Sequence, residues 1–237
     1  MTEANSLREV DNMTEAKVSF DSKNFAIRVG IYLIGLLFGS FGVAFAINGG
    51  LGISPINSLP FIVSNILGVY MGVVVTSLLV FYLFLQVLIL GKAFKPIQVT
   101  QILASFVFGY FVDFSRFVVG DFTLPTYVGQ LAMTGISILL IGTGITLFMS
   151  AKLVNLPGEG LVAAIAQRFN LPVHQAMIGT HSTVVAIGVI LSFSFLGELI
   201  GVREGTVLSA IFIGKTVQHV KKLVQPLFVR LGLSETN

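Results

Sequence analysis

Long apolar runs separated by short polar breaks dominate the chain. The runs 27–47, 69–90, 97–119, 127–150 and 174–200 each reach the length a helix needs to cross hydrocarbon, ~20 residues, and a weaker sixth covers 205–220. None of them alternates with period two, so the pattern predicts helical spans rather than a membrane barrel. Two further apolar segments, 55–68 and 157–170, are too short to span. Each starts at a proline, Pro55 or Pro157, and follows a charge-poor break. The uncharged run 60–90 is too long for one span, which places a break at "SNILG" (64–68). The second half breaks at "FNLP" (169–172), where proline removes a backbone donor and ends the preceding helix.

Composition agrees with a membrane protein. Hydrophobic residues make up 54% of the chain and charged residues 11%, far from the usual soluble balance. The chain has no cysteine, which excludes disulfides, thiolate metal sites and cysteine nucleophiles. The net charge of +3 reads as topology rather than nucleic-acid binding, because the basic residues flank the spans. With six spans and a cytoplasmic N-terminus, Arg8, Lys17, Lys23, Arg28, Lys92, Lys95, Lys152, Arg168, Lys221, Lys222 and Arg230 lie inside. Arg116 and Arg203 lie outside, and Lys215 falls within the last span. This asymmetry requires that neither short segment crosses, and it puts both termini in the cytoplasm. The first span then acts as an uncleaved anchor after a polar tail, and the basic C-terminal stretch from residue 220 suits the membrane surface.

The two halves superimpose. "GVAFAINGGLGISP" (42–55) lies without a gap over "GITLFMSAKLVNLP" (144–157), and small gaps bring Asn65 to Asn170, Thr100 to Thr206 and Gly109 to Gly214. Three spans per unit is odd, so the second unit enters the membrane upside down, the plan of many transporters. The expected fold is therefore an all-α polytopic membrane protein of six transmembrane helices. These form two inverted three-helix repeats, each carrying a short re-entrant or interfacial helix. The expected boundaries are a cytoplasmic tail over 1–24 and a membrane domain over 25–223. Within the domain the repeats cover about 27–120 and 126–223, and a C-terminal tail covers 224–237.

The helix starts are the candidate site. Ser54 stands as a cap before Pro55, and Asn57 follows in the first turn. Asn155 precedes Pro157, Gly158 and Glu159. Gly52 lets backbone approach closely. Re-entrant helices would bring their free N–H groups towards mid-depth, a setting that binds anions or carboxylates. Interfacial helices would leave ordinary surface turns.

At these residues the chain resembles the YczE/YyaS/YitT group of bacterial integral membrane proteins. The resemblance rests on "GLGISP" (50–55), "GYFVDFSRF" (109–117), "PGEGLVAAIAQ" (157–167) and "GVREGTVLSAIFIGK" (201–215). It implies a multi-pass protein of the bacterial inner membrane and assigns no activity. The chain departs from the group's aromatic-acidic pair after the first proline, where it has Ile56–Asn57.

Ionisable groups inside the apolar runs are functional candidates by default. Glu159 is the foremost, with Lys215 as an ion-pair partner or as a snorkelling lysine. Asp113 and Arg116 are spaced for a local ion pair. His174 and His181 share a helix face and with His219 and Met177 suggest a metal path, but seven-residue spacing without an adjacent carboxylate is weak evidence, so no metal is expected. The small-xxx-small pairs Gly35–Gly39 and Gly68–Gly72 read as close helix packing, within the chain or in a homo-oligomer. No catalytic constellation or cofactor motif is visible, so an enzyme is not expected. The reading is a small-solute transporter or permease in a lipid bilayer, its substrate an anion or carboxylate-bearing molecule. The alternative is a non-transporting accessory or assembly protein, for which a dry interface between the short helices would argue.

Overall fold

The computed structural model describes residues 22–230. The tail expected over 1–24 falls almost entirely outside the described residues, as does 231–237. Regular structure among the described residues is helical: α1 (Ser22–Gly49), α2 (Pro55–Leu67), α3 (Met71–Leu90), α4 (Gln101–Val119), α5 (Tyr127–Ser150), α6 (Pro157–Phe169), α7 (Val173–Leu196) and α8 (Glu204–Arg230). Two 3-10 turns, Gly91–Ala93 and Pro96–Thr100, join α3 to α4. Five stretches are long and apolar enough to cross a membrane: Asn24–Gly49, Met71–Ala93, Pro96–Val119, Tyr127–Ser150 and Val173–Leu196. The sixth run lies within α8, which is long enough but carries Glu204, Lys215, Lys221 and Lys222. It also continues through Pro226 to Arg230, so the domain boundary expected at 223 falls inside a helix. Large apolar side chains such as Phe84, Phe106, Phe117, Ile190 and Phe193 are exposed. In water such a surface would be costly, whereas hydrocarbon solvates it.

Both short helices form where the prolines predict. Pro55 and Pro157 occupy the first helical turn, where a missing N–H costs nothing. Each helix ends on a left-handed residue, Gly68 at φ 64° and Asn170 at φ 51°, a usual helix stop. The step from Pro55 to Pro157 therefore equals that from Gly68 to Asn170, and again that from Met71 to Val173. The expected match of Asn65 with Asn170 needed a gap here; the helix ends need none. Both short helices pack one side into the fold. Ser58, Leu59 and Ile62 of α2 and Gly158, Gly160 and Leu161 of α6 are buried, and a Cβ on Gly158 would touch Ile56 Cγ1 at 3.6 Å.

The central pair is α1 against α5, and small residues set its closeness. A Cβ on Gly35 would come within 2.6 Å of Phe148 N and 2.8 Å of Gly144 O. One on Gly144 would come within 2.6 Å of Gly35 O and Gly39 N, and one on Gly42 within 2.9 Å of Ile141 N and Ser137 O. Residue numbers rise along α1 as they fall along α5, so the two helices are antiparallel. Around them α1 packs with α4 and α5 with α8; α2 packs with α7 and α6 with α3; α2 meets α3 and α6 meets α7.

One pairing lacks a counterpart. α3 packs along α4, but α7 makes no comparable contact with α8. The α3–α4 crossing is tight because Gly72 faces the Gly109 carbonyl and Gly109 faces the Thr76 hydroxyl. At the position matching Gly72 the second half carries His174, whose ring prevents such an approach. Asp113 belongs to this crossing rather than to an ion pair with Arg116. Its Oδ1 accepts from Gly72 N at 2.7 Å, satisfying a first-turn donor of α3 that the helix itself leaves free.

Candidate functional site

The chain enters α2 and α6 by connectors of opposite character. In the first, Leu51, Gly52, Ile53 and Ser54 are all buried. Ile53 N donates to Gly201 O at 2.9 Å, Gly205 N to Leu51 O at 2.7 Å, and Arg203 Nη1 to Gly50 O at 3.1 Å. Gly52, at φ 98°, lies so close to Arg203 N and Thr206 that no side chain fits. The segment before α8 thus seals this connector. In the second connector Lys152 and Asn155 are exposed, and Arg28 Nη1 ties its start to α1 by donating to Ala151 O at 3.1 Å.

The start of α2 is self-contained. Ser54 occupies the cap position, but its Oγ accepts from Asn57 Nδ2 at 2.9 Å instead of from a backbone N–H. The Ser54 carbonyl takes the N–H groups of Asn57 and Ser58, at 2.9 and 3.0 Å. The Ser54 hydroxyl and the Asn57 amide of this half thus pair with each other.

The start of α6 is different. Gln86 of α3 is fully buried, and its Nε2 donates to Gln101 Oε1 and to the Pro157 carbonyl, both at 3.1 Å. It lies flat against α6 because Gly160 leaves the space: a Cβ there would sit 2.6 Å from Gln86 Oε1. That Oε1 has no donor. One turn earlier on the same face of α3, the buried Tyr82 hydroxyl has no partner either. The same holds for the buried hydroxyl of Tyr32 on α1, whose ring packs edge-on against Phe148, centroids 6.1 Å apart. Buried polar atoms without partners are rare in native proteins, and each calls for an explanation. One of them, Gln86 Oε1, lies against the first turn of α6 at Gly160.

Glu159 lies in the same first turn and is partly buried. Its carboxylate is near enough to Tyr32 to act on it electrostatically. The helix carrying it is too short to span. Burial pushes its carboxyl up to about 7, although its own backbone N–H donates to the carboxylate and opposes that rise. The chain's own carboxylate thus takes the place at the helix start where the sequence suggested a foreign anion. Lys215 is not its partner: it is exposed on α8, with Nζ 5.1 Å from the Phe212 ring centroid. A cleft of about 410 Å³, lined by Leu88, Ile89, Gly91, Ala93, Gln167 and Arg168 among others, opens at the far end of the α3–α6 contact.

The structure therefore brings Glu159 together with Pro157 and Gly158, and leaves Asn155 and Lys215 outside. Tyr32, Tyr82, Gln86 and Gln101 are the residues that sequence reasoning missed. Gln86 carried a signal: it is the only amide in the run Met71–Leu90, and a polar residue inside an apolar span is kept there for a reason.

A model of the family described as "Family of unknown function (DUF6198)" matches residues 26–222. The chain is 26% identical over 196 residues to "Uncharacterized membrane protein YczE" of Bacillus subtilis (strain 168), covering 81% of this chain and 84% of that one. It is 28% identical over 190 residues to "Uncharacterized protein YyaS" of the same organism, covering 80% of this chain and 89% of that one. The YitT part of the resemblance rests on the motifs alone. No solved structure matches.

Proposed function

The chain belongs to the DUF6198 family, and for it we propose a small-solute transporter or permease of the bacterial inner membrane, working between two inverted three-span halves with α8 as the sixth span. One observation carries the reading. The step that takes Gly42 to Gly144 also takes Gly35 to Ser137 and Gly39 to Ile141. Gly42 packs on Ser137 and Ile141, and Gly144 packs on Gly35 and Gly39. A contact and its transposed copy, on antiparallel helices, are what a two-fold axis in the membrane plane produces. The same step takes Ile56 to Gly158, which touch, and this supports an axis between the starts of the two short helices.

The asymmetry of the connectors supports transport over the accessory role. One connector is sealed by hydrogen bonds and the other exposes Lys152 and Asn155, the pattern of a protein closed to one side and open to the other. A dry interface between the short helices would favour an accessory protein, and their contact at Ile56 and Gly158 is apolar; what supports transport is the unpartnered Gln86 Oε1 on the other side of the α6 start. No catalytic role is assigned to it.

The topology gives a first test. With both termini cytoplasmic, a cysteine placed at Lys92 or Lys152 of this cysteine-free chain should resist an impermeant maleimide in intact cells, and one at Asp121 should react. Labelling at 92 would overturn the six-span arrangement.

The second test is Glu159→Gln. A carboxyl that titrates near 7 in the fold and near 4.3 unfolded holds its proton longer in the native state. Its contribution to stability is then fully present below pH ~4.3 and is lost as pH rises towards 7. The wild-type melting midpoint should fall across that window, and the variant should lack that fall. In proteoliposomes screened with a metabolite panel and an internal pH dye, Glu159→Gln should abolish solute-driven proton movement. Identical pH profiles and fluxes for the two proteins would remove Glu159 from the mechanism.

A further inference from the structure

We propose that the seam between α5 and α8 binds an anionic phospholipid of the cytoplasmic leaflet, its acyl chain in an apolar groove and its phosphate against Lys215 and Lys222. The inference needs α8 to cross as the sixth span, but it does not need transport. The groove has a volume of about 350 Å³, and Gly135, Ile138 and Leu139 of α5 line it with Leu208, Phe212 and Thr216 of α8. The two helices run the same way. Thr134 to Leu139 share the groove with Leu208 and Phe212, and further along both helices Thr146 Oγ1 donates to Val217 O at 3.4 Å. Both therefore head towards the side of Lys152, the side read as cytoplasmic. One stripe of α8 changes character in that direction. Leu208, Phe212, Lys215, His219 and Lys222 are spaced by four, three, four and three residues, which puts them on a single helix face. The first two line the groove, and the last three are exposed and basic. Lys215 joins the two parts: its Nζ stands 5.1 Å from the Phe212 ring centroid, because a helical side chain leans over the turn before its own.

The cations of this stripe have no counter-ion in the protein. The ion pair Arg203–Glu204 lies at the start of α8, and none forms with Lys215 or Lys222 among the described residues. The Lys215 carbonyl accepts from His219 Nδ1 at 2.8 Å, which holds that ring to the helix and leaves Nε2 free. A phosphodiester supplies the missing negative charge, and basic pockets between spans on the cytoplasmic side bind anionic headgroups. The groove is what makes the partner a lipid and not a free anion. The deep part of the stripe takes hydrocarbon and the shallow part takes charge, the order in which a lipid of that leaflet presents them. From Phe212 to Lys222 the helix rises ~15 Å, about half the thickness of a hydrocarbon core. The other half of the molecule supplies an internal contrast. In the register that matches Gly109 with Gly214, the stripe falls on Leu103, Val107, Tyr110, Phe114 and Phe117 of α4. That stripe is apolar or aromatic throughout, so the cationic pole exists on α8 alone.

Purified full-length protein in a neutral detergent would be melted with increasing dioleoyl phosphatidylglycerol, with dioleoyl phosphatidylcholine and inorganic phosphate as references. Expected is a saturable rise in melting midpoint with phosphatidylglycerol alone. An equal rise with phosphatidylcholine would mean that charge is not read, and an equal rise with inorganic phosphate would mean that the groove is not used. Either result overturns the proposal, as does no rise at all. Lys215→Gln and Lys222→Gln should each weaken the apparent affinity for phosphatidylglycerol about fivefold. Lys92→Gln removes the same charge from the same expected side, on the 3-10 turn Gly91–Ala93 away from the seam, and should leave the affinity unchanged. Equal weakening by all three variants would reduce the effect to net charge and sink the inference. Gly135→Phe tests the groove itself. A Cβ there meets nothing within 4 Å, so the ring can fill the groove without displacing backbone. It should abolish the phosphatidylglycerol response and hold the lipid-free midpoint; a full response in this variant would place the chain elsewhere and overturn the proposal. The lysine variants decide the matter even where the phenylalanine does not fold. Solute flux plays no part in these readouts, so they stand or fall apart from the transporter reading.

Discussion

Gly144→Leu is expected to yield little or no folded protein. The new Cβ alone would lie 2.6 Å from the Gly35 carbonyl and the Gly39 amide, and the nearest neighbours are backbone atoms that cannot rotate away. Overpacking in a close-packed core typically costs about 1–3 kcal/mol where side chains can adjust. Here two helices would have to separate along the central contact of the molecule, so the cost should lie at or above that range. In a membrane, helix association depends on close packing, with no help from a hydrophobic effect between helices. Gly214→Leu is the matched control, since a Cβ there meets nothing within 4 Å. Size-exclusion profiles and thermal midpoints in one detergent should separate the two clearly. Equal, monodisperse behaviour would mean that α1 and α5 do not cross at these glycines.

Gln86→Leu should be the most damaging substitution at the candidate site. Leucine roughly preserves volume, so packing is not the issue. The Gln101 carboxamide oxygen loses its donor, whereas the Pro157 carbonyl loses its second donor and keeps the helical N–H of the residue four on. An orphaned buried polar group costs about 1–3 kcal/mol, and one is created. The expected loss is about 1–3 kcal/mol, partly offset because Gln86 Oε1, itself without a donor, is removed. Chemical denaturation in mixed micelles measures it. The double variant Gln86→Leu with Gln101→Leu should recover part of the loss, because it removes the orphaned acceptor. Absence of any recovery would show that the Gln86–Gln101 bond is not an energetic unit.

Much of the architecture could be read from the chain before any coordinates. Spans are set by the length of an apolar run against the thickness of hydrocarbon, a one-dimensional property. The run 127–150 became α5 with those same bounds, and the short helices start at Pro55 and Pro157 as expected. Their ends are local too, because left-handed backbone at Gly68 and Asn170 follows from residue type. Asn65 was matched to Asn170 only because glycine and asparagine look unlike as letters while serving the same conformation.

Which polar groups face each other was not local. Asp113 looked like a partner for Arg116 three residues on, yet it caps a helix that starts more than ten turns of chain away. Glu159 was recognised as the key carboxylate, but its neighbours come from α1 and α3 and from the first residue of α4, elements far apart in sequence. For Lys215 the chain leaves two readings, partner of Glu159 or snorkelling lysine; α8 packs against α5 and the ammonium stands exposed over Phe212, as the second requires. Helix periodicity tells which side of a helix is polar, not which helix that side meets. The chain by itself determined the number of long apolar helices and where the short ones begin, because these depend on local hydropathy and backbone preference. Only the tertiary structure decided that the second short helix, and not the first, starts against a buried amide oxygen without a donor, because that depends on Gly160 and Gln86 meeting across distant helices.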